Sequence, residues 1–184
     1  MDLNNFTSES CGVPSNPGLA SYLWLSCTCE HNNWPQTKKE LGGTAPGDSK
    51  ILDEPFDFKA GKFWKKFPIL VDISGLTDTL EGELGGQGFM NDVNFEIKGT
   101  DAEKLEFADC LVANSGCLVA MVKERGGLHR VVGNLEVPAI IESAVISTGA
   151  KNADKKVGAY VLKAMTGLTA PIYNVTAVNI IQEA

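Results

Sequence analysis

The clearest pattern in the chain is a two-residue alternation. Phe89, Val93, Phe95 and Ile97 fall on one parity, and Asp92, Asn94, Glu96 and Lys98 fall on the other. Successive side chains of a strand point to opposite faces, so this spacing predicts a strand with one dry and one wet side. The period then lengthens. Leu105, Ala108, Leu111 and Val112 recur at helical spacing, preceded by the capping-box sequence Thr100-Asp101-Ala102-Glu103. In that motif the Thr100 hydroxyl accepts from the Glu103 amide, and the Glu103 carboxylate returns the bond. Asp101 and Glu103 also suit the positive end of a helix dipole, and Asn114-Ser115-Gly116 supplies a stop. One principal α-helix over about residues 101–114 is expected.

Strands account for most of the remaining pattern. From Leu19 to Cys29, Leu23, Leu25, Cys27 and Cys29 share one parity and Tyr22, Trp24, Ser26 and Thr28 the other. Both sides are fairly apolar, which predicts a strand covered on both faces. Phe67, Ile69, Val71 and Ile73 predict one face of a further strand, and Thr79–Leu84 a shorter one. Downstream, strands are expected at Cys117–Lys123, His129–Val132, Val137–Ile146, Tyr160–Met165 and Val175–Ile181. Arg125-Gly126-Gly127-Leu128 reads as a hairpin turn, and Pro138 marks an edge or bulge.

Two segments break the pattern. Residues 1–18 are polar and rich in turn formers, ending in Ser15-Asn16-Pro17-Gly18, and are expected to form an extended N-terminal arm. Residues 19–184 then form a single β-rich domain with a long loop at about 31–55, where Gly42-Gly43 and Pro46-Gly47 interrupt any periodicity. Loops beyond about 12–15 residues are uncommon in compact domains unless they have a function, so this one is expected to reach a partner subunit or to lie in solvent. The fold class is mainly β (α+β): a β-sandwich or barrel with one helix and long loops.

Charge narrows the function classes. The 184 residues carry a net charge of −7, which repels duplex DNA and argues against a specific nucleic-acid binder. A surface past which DNA slides remains compatible with it. No apolar run approaches the ~20 residues of a membrane helix. Met1-Asp2-Leu3-Asn4-Asn5 lacks the basic start and apolar core of a signal peptide, so the glycosylation motifs at Asn5 and Asn174 read as chance. Five cysteines, an odd number, read as reduced thiols rather than a disulfide framework.

Candidate chemistry is sparse. Cys27, Cys29 and His31 would share a strand face, and Cys11 could complete a zinc set. Their spacing matches no common zinc pair, and the two cysteines continue the face of Leu23 and Leu25, as small core residues would. Gly85-Gly86-Gln87-Gly88 lacks the following helix of a phosphate loop and reads as a turn between strands. His129 beside Arg130 is expected to be solvated. Asp53, Glu54, Asp57, Glu81 and Glu83 are carboxylates without a nucleophile–base signature around them. Lys62, Lys65 and Lys66 interleave with Phe63, Trp64 and Phe67. That patch suits base stacking, but fits a lysine-protected strand edge or a subunit contact better on an acidic chain. No catalytic, cofactor-binding or metal-binding residue is assigned, and no enzyme is expected.

The C-terminal half carries a family likeness. Arg130-Val131-Val132-Gly133-Asn134-Leu135-Glu136-Val137-Pro138-Ala139 leads to Thr148-Gly149-Ala150, then Val157-Gly158-Ala159-Tyr160-Val161-Leu162-Lys163-Ala164 and Thr169-Ala170-Pro171-Ile172-Tyr173. From about Trp64 to Tyr173 the chain resembles major tail tube proteins, or related virion structural proteins, of tailed bacteriophages of the Bacteroides and Flavobacterium type. The resemblance implies a sandwich or barrel flanked by a helix, commonly in hexameric rings whose sheets join around a lumen. Stacked rings would conduct DNA at infection. The implied partners are the chain itself, other tail or head–tail proteins, and DNA passing without specific binding, with no membrane. The implied location is the virion tail, after synthesis in the bacterial host cytoplasm. A capsid decoration or head–tail joining protein is the alternative, and a small cytosolic metal-binding or enzymatic domain using Cys27, Cys29 and His31 is an alternative of another class.

Overall fold

The computed structural model describes residues 17–149, 154–176 and 179–183. Among them the fold is mainly β with one α-helix. In chain order the strands are β1 (Leu19–Cys27), β2 (His31–Asn33), β3 (Ile51–Leu52), β4 (Asp57–Phe58), β5 (Lys65–Pro68), β6 (Gly75–Glu81) and β7 (Gly88–Lys98). Helix α1 (Ala102–Ala113) follows, then β8 (Leu118–Glu124), β9 (His129–Val132), β10 (Ile140–Ser147), β11 (Val157–Ala164) and β12 (Ile172–Tyr173). A first sheet runs β3-β12-β9-β8-β1-β5, a second β10-β11-β7-β6, and β2 pairs with β4.

The two larger sheets enclose the main core. Leu23, Leu25, Ala120 and Val122 of the first meet Val93, Phe95, Tyr160 and Leu162 of the second. The alternation that predicts β7 is realised: Val93, Phe95 and Ile97 are buried, while Asn94 and Lys98 are exposed. Helix α1 closes one side by burying Ala108 and Leu111. Its Phe107 ring sits between Phe67 (4.5 Å) and Tyr160 (5.8 Å).

A second core lies on the other side of the first sheet. Trp24, Val119, Met121 and Val131 pack against Leu52, Phe56, Trp64 and Tyr173. Both faces of β1 are therefore covered over Leu23–Ser26, as its two apolar parities predict, whereas Tyr22 is 44% exposed. The cover is built from the stretch expected as a long loop at 31–55 and the residues after it. The stretch is largely irregular, interrupted by β2, a short 3-10 turn at Asp48–Lys50 and β3. Its Trp34 and neighbouring Phe56, Phe58 and Trp64 form an aromatic layer. Burial of a large aromatic stabilises by roughly 1.5–3 kcal/mol, which holds an irregular segment where no ladder does.

A polar clamp joins the sheets at one end. Arg130 of β9 pairs with Asp78 of β6 and with Glu124 of β8 (3.2 Å), and its Nε donates to the Ala170 carbonyl (2.7 Å). Asn91 of β7, wholly buried, donates to Asp78 (2.7 Å) and to the Leu168 carbonyl (3.1 Å), and accepts from Thr166 (2.7 Å).

Other boundaries differ from expectation for local reasons. The strand expected through Phe67, Ile69, Val71 and Ile73 stops at Pro68. There the chain changes sheets: the Ile69 amide bonds Ser21 in β1, and the Leu70 amide bonds Glu96 in β7. The Thr79–Leu84 strand lies earlier, at Gly75–Glu81. The helix cap is Asp101 rather than Thr100, its carboxylate accepting from the Lys104 amide at 3.1 Å. Gly99, at φ 107, turns the chain immediately before it, and aspartate caps at least as well as threonine. Leu105 and Val112, expected in the buried stripe, are 44% and 56% exposed. The strand expected at Val175–Ile181 is not formed by its described residues, and the last strand is β12. Residues 1–16 of the expected arm lie outside the described residues.

Candidate assembly surface

The two sheets end differently. The outer margins of the first are short and blunted. Next to β3, the Lys38 amide bonds Ile51 and the Asp53 amide bonds Gln36. Beside β5, Trp64 bridges Glu183, whose carboxylate takes the Lys66 ammonium (3.1 Å) and the Trp24 indole N–H (2.9 Å). The second sheet ends in long strands. In β10 every residue but Ile141 is exposed, including Ile140, Val145 and Ile146. In β6 at the opposite margin, Thr77, Thr79, Leu80 and Glu81 are exposed. Among the described residues, no strand pairs with the outer side of β10 or β6. Unpaired backbone donors and acceptors on a long margin are a template for another strand.

The outward face of the second sheet is acidic. Register places Asp92 of β7 between Thr77 of β6 and Lys163 of β11. A bulge between Ile141 and Ser143 in β10 accompanies the Glu142 contact to Lys163 at 2.7 Å, while Asp92 stands 3.9 Å from the same ammonium. Partial burial pushes the Asp92 carboxyl up; Lys163 opposes this, and Glu142 and Glu81 add to it. One lysine thus stands against two carboxylates, Glu142 and Asp92, within the field of Glu81, with Glu96 and Lys98 further along β7.

The candidate metal trio is not assembled. Cys27 ends β1, and a 3-10 turn at Thr28–Glu30 ends the strand parity that would align Cys29 and His31 with it. His31 is 4% exposed within an aromatic box, with Phe58 at 4.4 Å, Phe56 at 5.7 Å, Trp64 at 5.8 Å and Trp34 at 6.1 Å between ring centroids. Its Nε2 pairs with the Ser26 hydroxyl at 2.8 Å, and Nδ1 has no partner among the described residues. Burial pushes the imidazole down to about 4, against the smaller opposing fields of Glu30 and Asp57. It is therefore neutral near pH 7. Cys11 lies outside the described residues, and no group of three or more His, Cys, Asp or Glu among them could share a metal ion.

The remaining candidates are also separated. Gly85-Gly86-Gln87-Gly88 joins β6 to β7. His129, expected in solvent, is half-buried with its ring 5.8 Å from Trp24, and burial lowers its imidazole, with Lys123 adding to that. Asp53 accepts from Asn174, Glu54 from the Gln36 amide, and Asp57 from Asn32 and Asn33, so these three hold loops. Glu81 and Glu83 are exposed around the β6–β7 turn. Lys62 and Lys65 converge on Glu30 (3.2 and 3.8 Å), whereas Lys66 binds Glu183 and lies 4.6 Å above the Tyr22 ring. Trp64 is buried and Phe67 packs on the main core, so of the three patch aromatics only Phe63, 38% exposed, faces solvent.

At the turn itself, the Cys29 thiol donates to the Cys27 sulfur at 2.9 Å. That bond first, then burial and the charges of Cys27 and Glu30, hold the Cys29 proton on more tightly than usual, against Lys59. The sequence motif marks these residues, but the hydrogen-bonded thiol pair follows from the turn and is not visible in the spacing.

Comparison with known protein families, curated proteins and solved structures gives no match for this chain. Among the described residues, no helix is long and apolar enough to cross a membrane.

Proposed function

We propose that the chain is the repeating subunit of a phage-type tail tube, a structural protein that assembles into stacked rings forming a conduit for DNA. The observation that carries this reading is the pair of long open margins on one sheet, β10 at one end and β6 at the other. Pairing β10 of one copy with β6 of the next is a head-to-tail contact, and such contacts close into rings when the rotation per subunit permits. The outward face of that sheet would then line the lumen. Glu81, Asp92, Glu96 and Glu142 outnumber Lys98 and Lys163 there. DNA phosphates would be repelled and stay mobile. The subunit would reside in the virion tail, with copies of itself and other tail or head–tail proteins as partners.

Electron microscopy of the concentrated full chain tests this reading. Stacked rings or filaments are expected. Trimers or single unstacked rings would favour a capsid decoration or head–tail joining role, and dispersed monomers at every concentration would count against all three.

A further inference from the structure

All four described cysteines gather at one corner of the fold, although they come from two distant parts of the chain. The Thr28 amide donates to the Cys117 carbonyl at 2.7 Å, and Cys27 lies opposite Leu118 in the β1–β8 ladder. Cys110 of α1 lines a cleft of about 170 Å³ together with Cys27 and Cys29. Cys29 is exposed, Cys27 is half-buried, and neither belongs to a hydrophobic core. Packing therefore does not account for two thiols whose sulfurs stand 2.9 Å apart at the mouth of a cleft.

We propose that Cys27 and Cys29 are an oxidisable dithiol, a modification site for small disulfides of the glutathione class. Cys27 is the attacking sulfur, because it accepts the Cys29 hydrogen bond and lines the cleft; as for any thiol, the thiolate form is the nucleophile. The thiolate attacks one sulfur of R–S–S–R, forming the Cys27 mixed disulfide and releasing RS⁻. Cys29 then loses its proton and attacks the Cys27 sulfur, closing the Cys27–Cys29 bond and releasing the second RS⁻. The two protons end on two RSH molecules. The dithiol loses two electrons and the small disulfide gains them. Lys65 at the cleft, 3.8 Å from the Glu30 carboxylate that also lines it, is the cation nearest an incoming carboxylate, while the Asn114 amide is held by the Cys110 carbonyl at 2.8 Å. A bridge across one intervening residue, open to solvent, belongs to the readily reduced class of disulfides. The modification is thus reversible, and it acts on the turn whose next residues are Glu30 and the boxed His31.

The test equilibrates the full chain with oxidised and reduced glutathione over a range of ratios, then alkylates free thiols and maps peptides by mass spectrometry. The expected result is a peptide spanning 27–29 that is lighter by two hydrogens, at ratios that leave Cys110 and Cys117 alkylated. Cys29→Ser should stop the sequence at a persistent glutathione adduct on Cys27. Alkylation of both Cys27 and Cys29 at every ratio would overturn the proposal, as would a bridge from either to Cys110 or to another chain. The mapping on the unaltered chain stands by itself should Cys29→Ser fail to fold.

Discussion

The first sheet is sealed and the second is open. The first has a core on each face and margins closed by residues 36–38 on one side and 182–183 on the other. The second has one core, one bare acidic face and two long unpaired margins. Both sheets come from one chain under the same need to satisfy backbone groups, so the contrast localises where a further partner can add. A contact on the first sheet must displace packed aromatics. A contact on the second displaces no packed ring and supplies hydrogen bonds to groups that now face water, with the Ile141 amide already donating to the Ser115 hydroxyl at 2.9 Å.

The largest test acts on the seal. Phe56 touches His31, Trp64 and Tyr173, with ring centroids 5.7, 5.0 and 4.9 Å away. Phe56→Ala should cost about 4 kcal/mol in a urea unfolding curve, the usual range for deleting a buried ring. Hydrogen exchange should rise first in β8 and β9, whose outer side chains Met121 and Val131 that ring layer covers. A loss under about 1 kcal/mol would mean that the cover is not a core and that the two sheets differ less than their burial implies.

Acid should open the same seal by a different route. The His31 imidazole is held at about 4 in the folded chain, below its ordinary 6.5. The unfolded chain therefore binds the proton first. Stability from this group is complete above about pH 6.5 and is lost progressively as pH falls toward about 4, to a total of roughly 3 kcal/mol. Glu30 and Glu183, both held below the ordinary carboxylate range, lose their contributions only as pH falls further. Melting temperature followed from pH 7 to pH 4.5 should drop more steeply in the unaltered chain than in His31→Phe, which keeps only the acid loss from half-buried His129. Equal slopes would show that the aromatic box does not exclude the proton.

The legibility of these features depended on whether they repeat with a period. β7 and the double-faced β1 were readable because Val93, Phe95, Leu23 and Trp24 obey a two-residue rule. The helix was readable within a residue or two, although its exposed Leu105 and Val112 mimic a buried stripe. The cover was not readable. Trp34, Phe56, Phe58 and Trp64 have no common spacing, and their burial is set by the sheet they land on. Likewise Asp78, Asn91 and Arg130 look like ordinary surface polar residues until β6, β7 and β9 bring them together. The thiol corner was half legible: Cys27-x-Cys29 is visible, but its turn and the nearness of Cys110 and Cys117 depend on β8 and α1. The open margins of β10 and β6 could not be read, because being last in a sheet is a property of topology.

The smallest expected effect on folding is also the sharpest test of the open sheet. Val145 and Ile146 are neighbours in β10, 57% and 41% exposed, so their side chains project to opposite sides of the margin strand. Val145→Lys with Ile146→Lys places a charge on each side, the device by which natural sheets discourage strand addition. Neither site is buried, so thermal stability should change by no more than about 0.5 kcal/mol. Rings or filaments, read by electron microscopy and sedimentation, should be lost. Phe63→Lys is the matching control: Phe63 is 38% exposed and lies just before β5, at the margin of the sealed sheet. It should leave assembly intact. If the paired lysines in β10 are tolerated while Phe63→Lys disperses the particles, the growing contact belongs to the first sheet, and the second sheet's open margins are simply solvated.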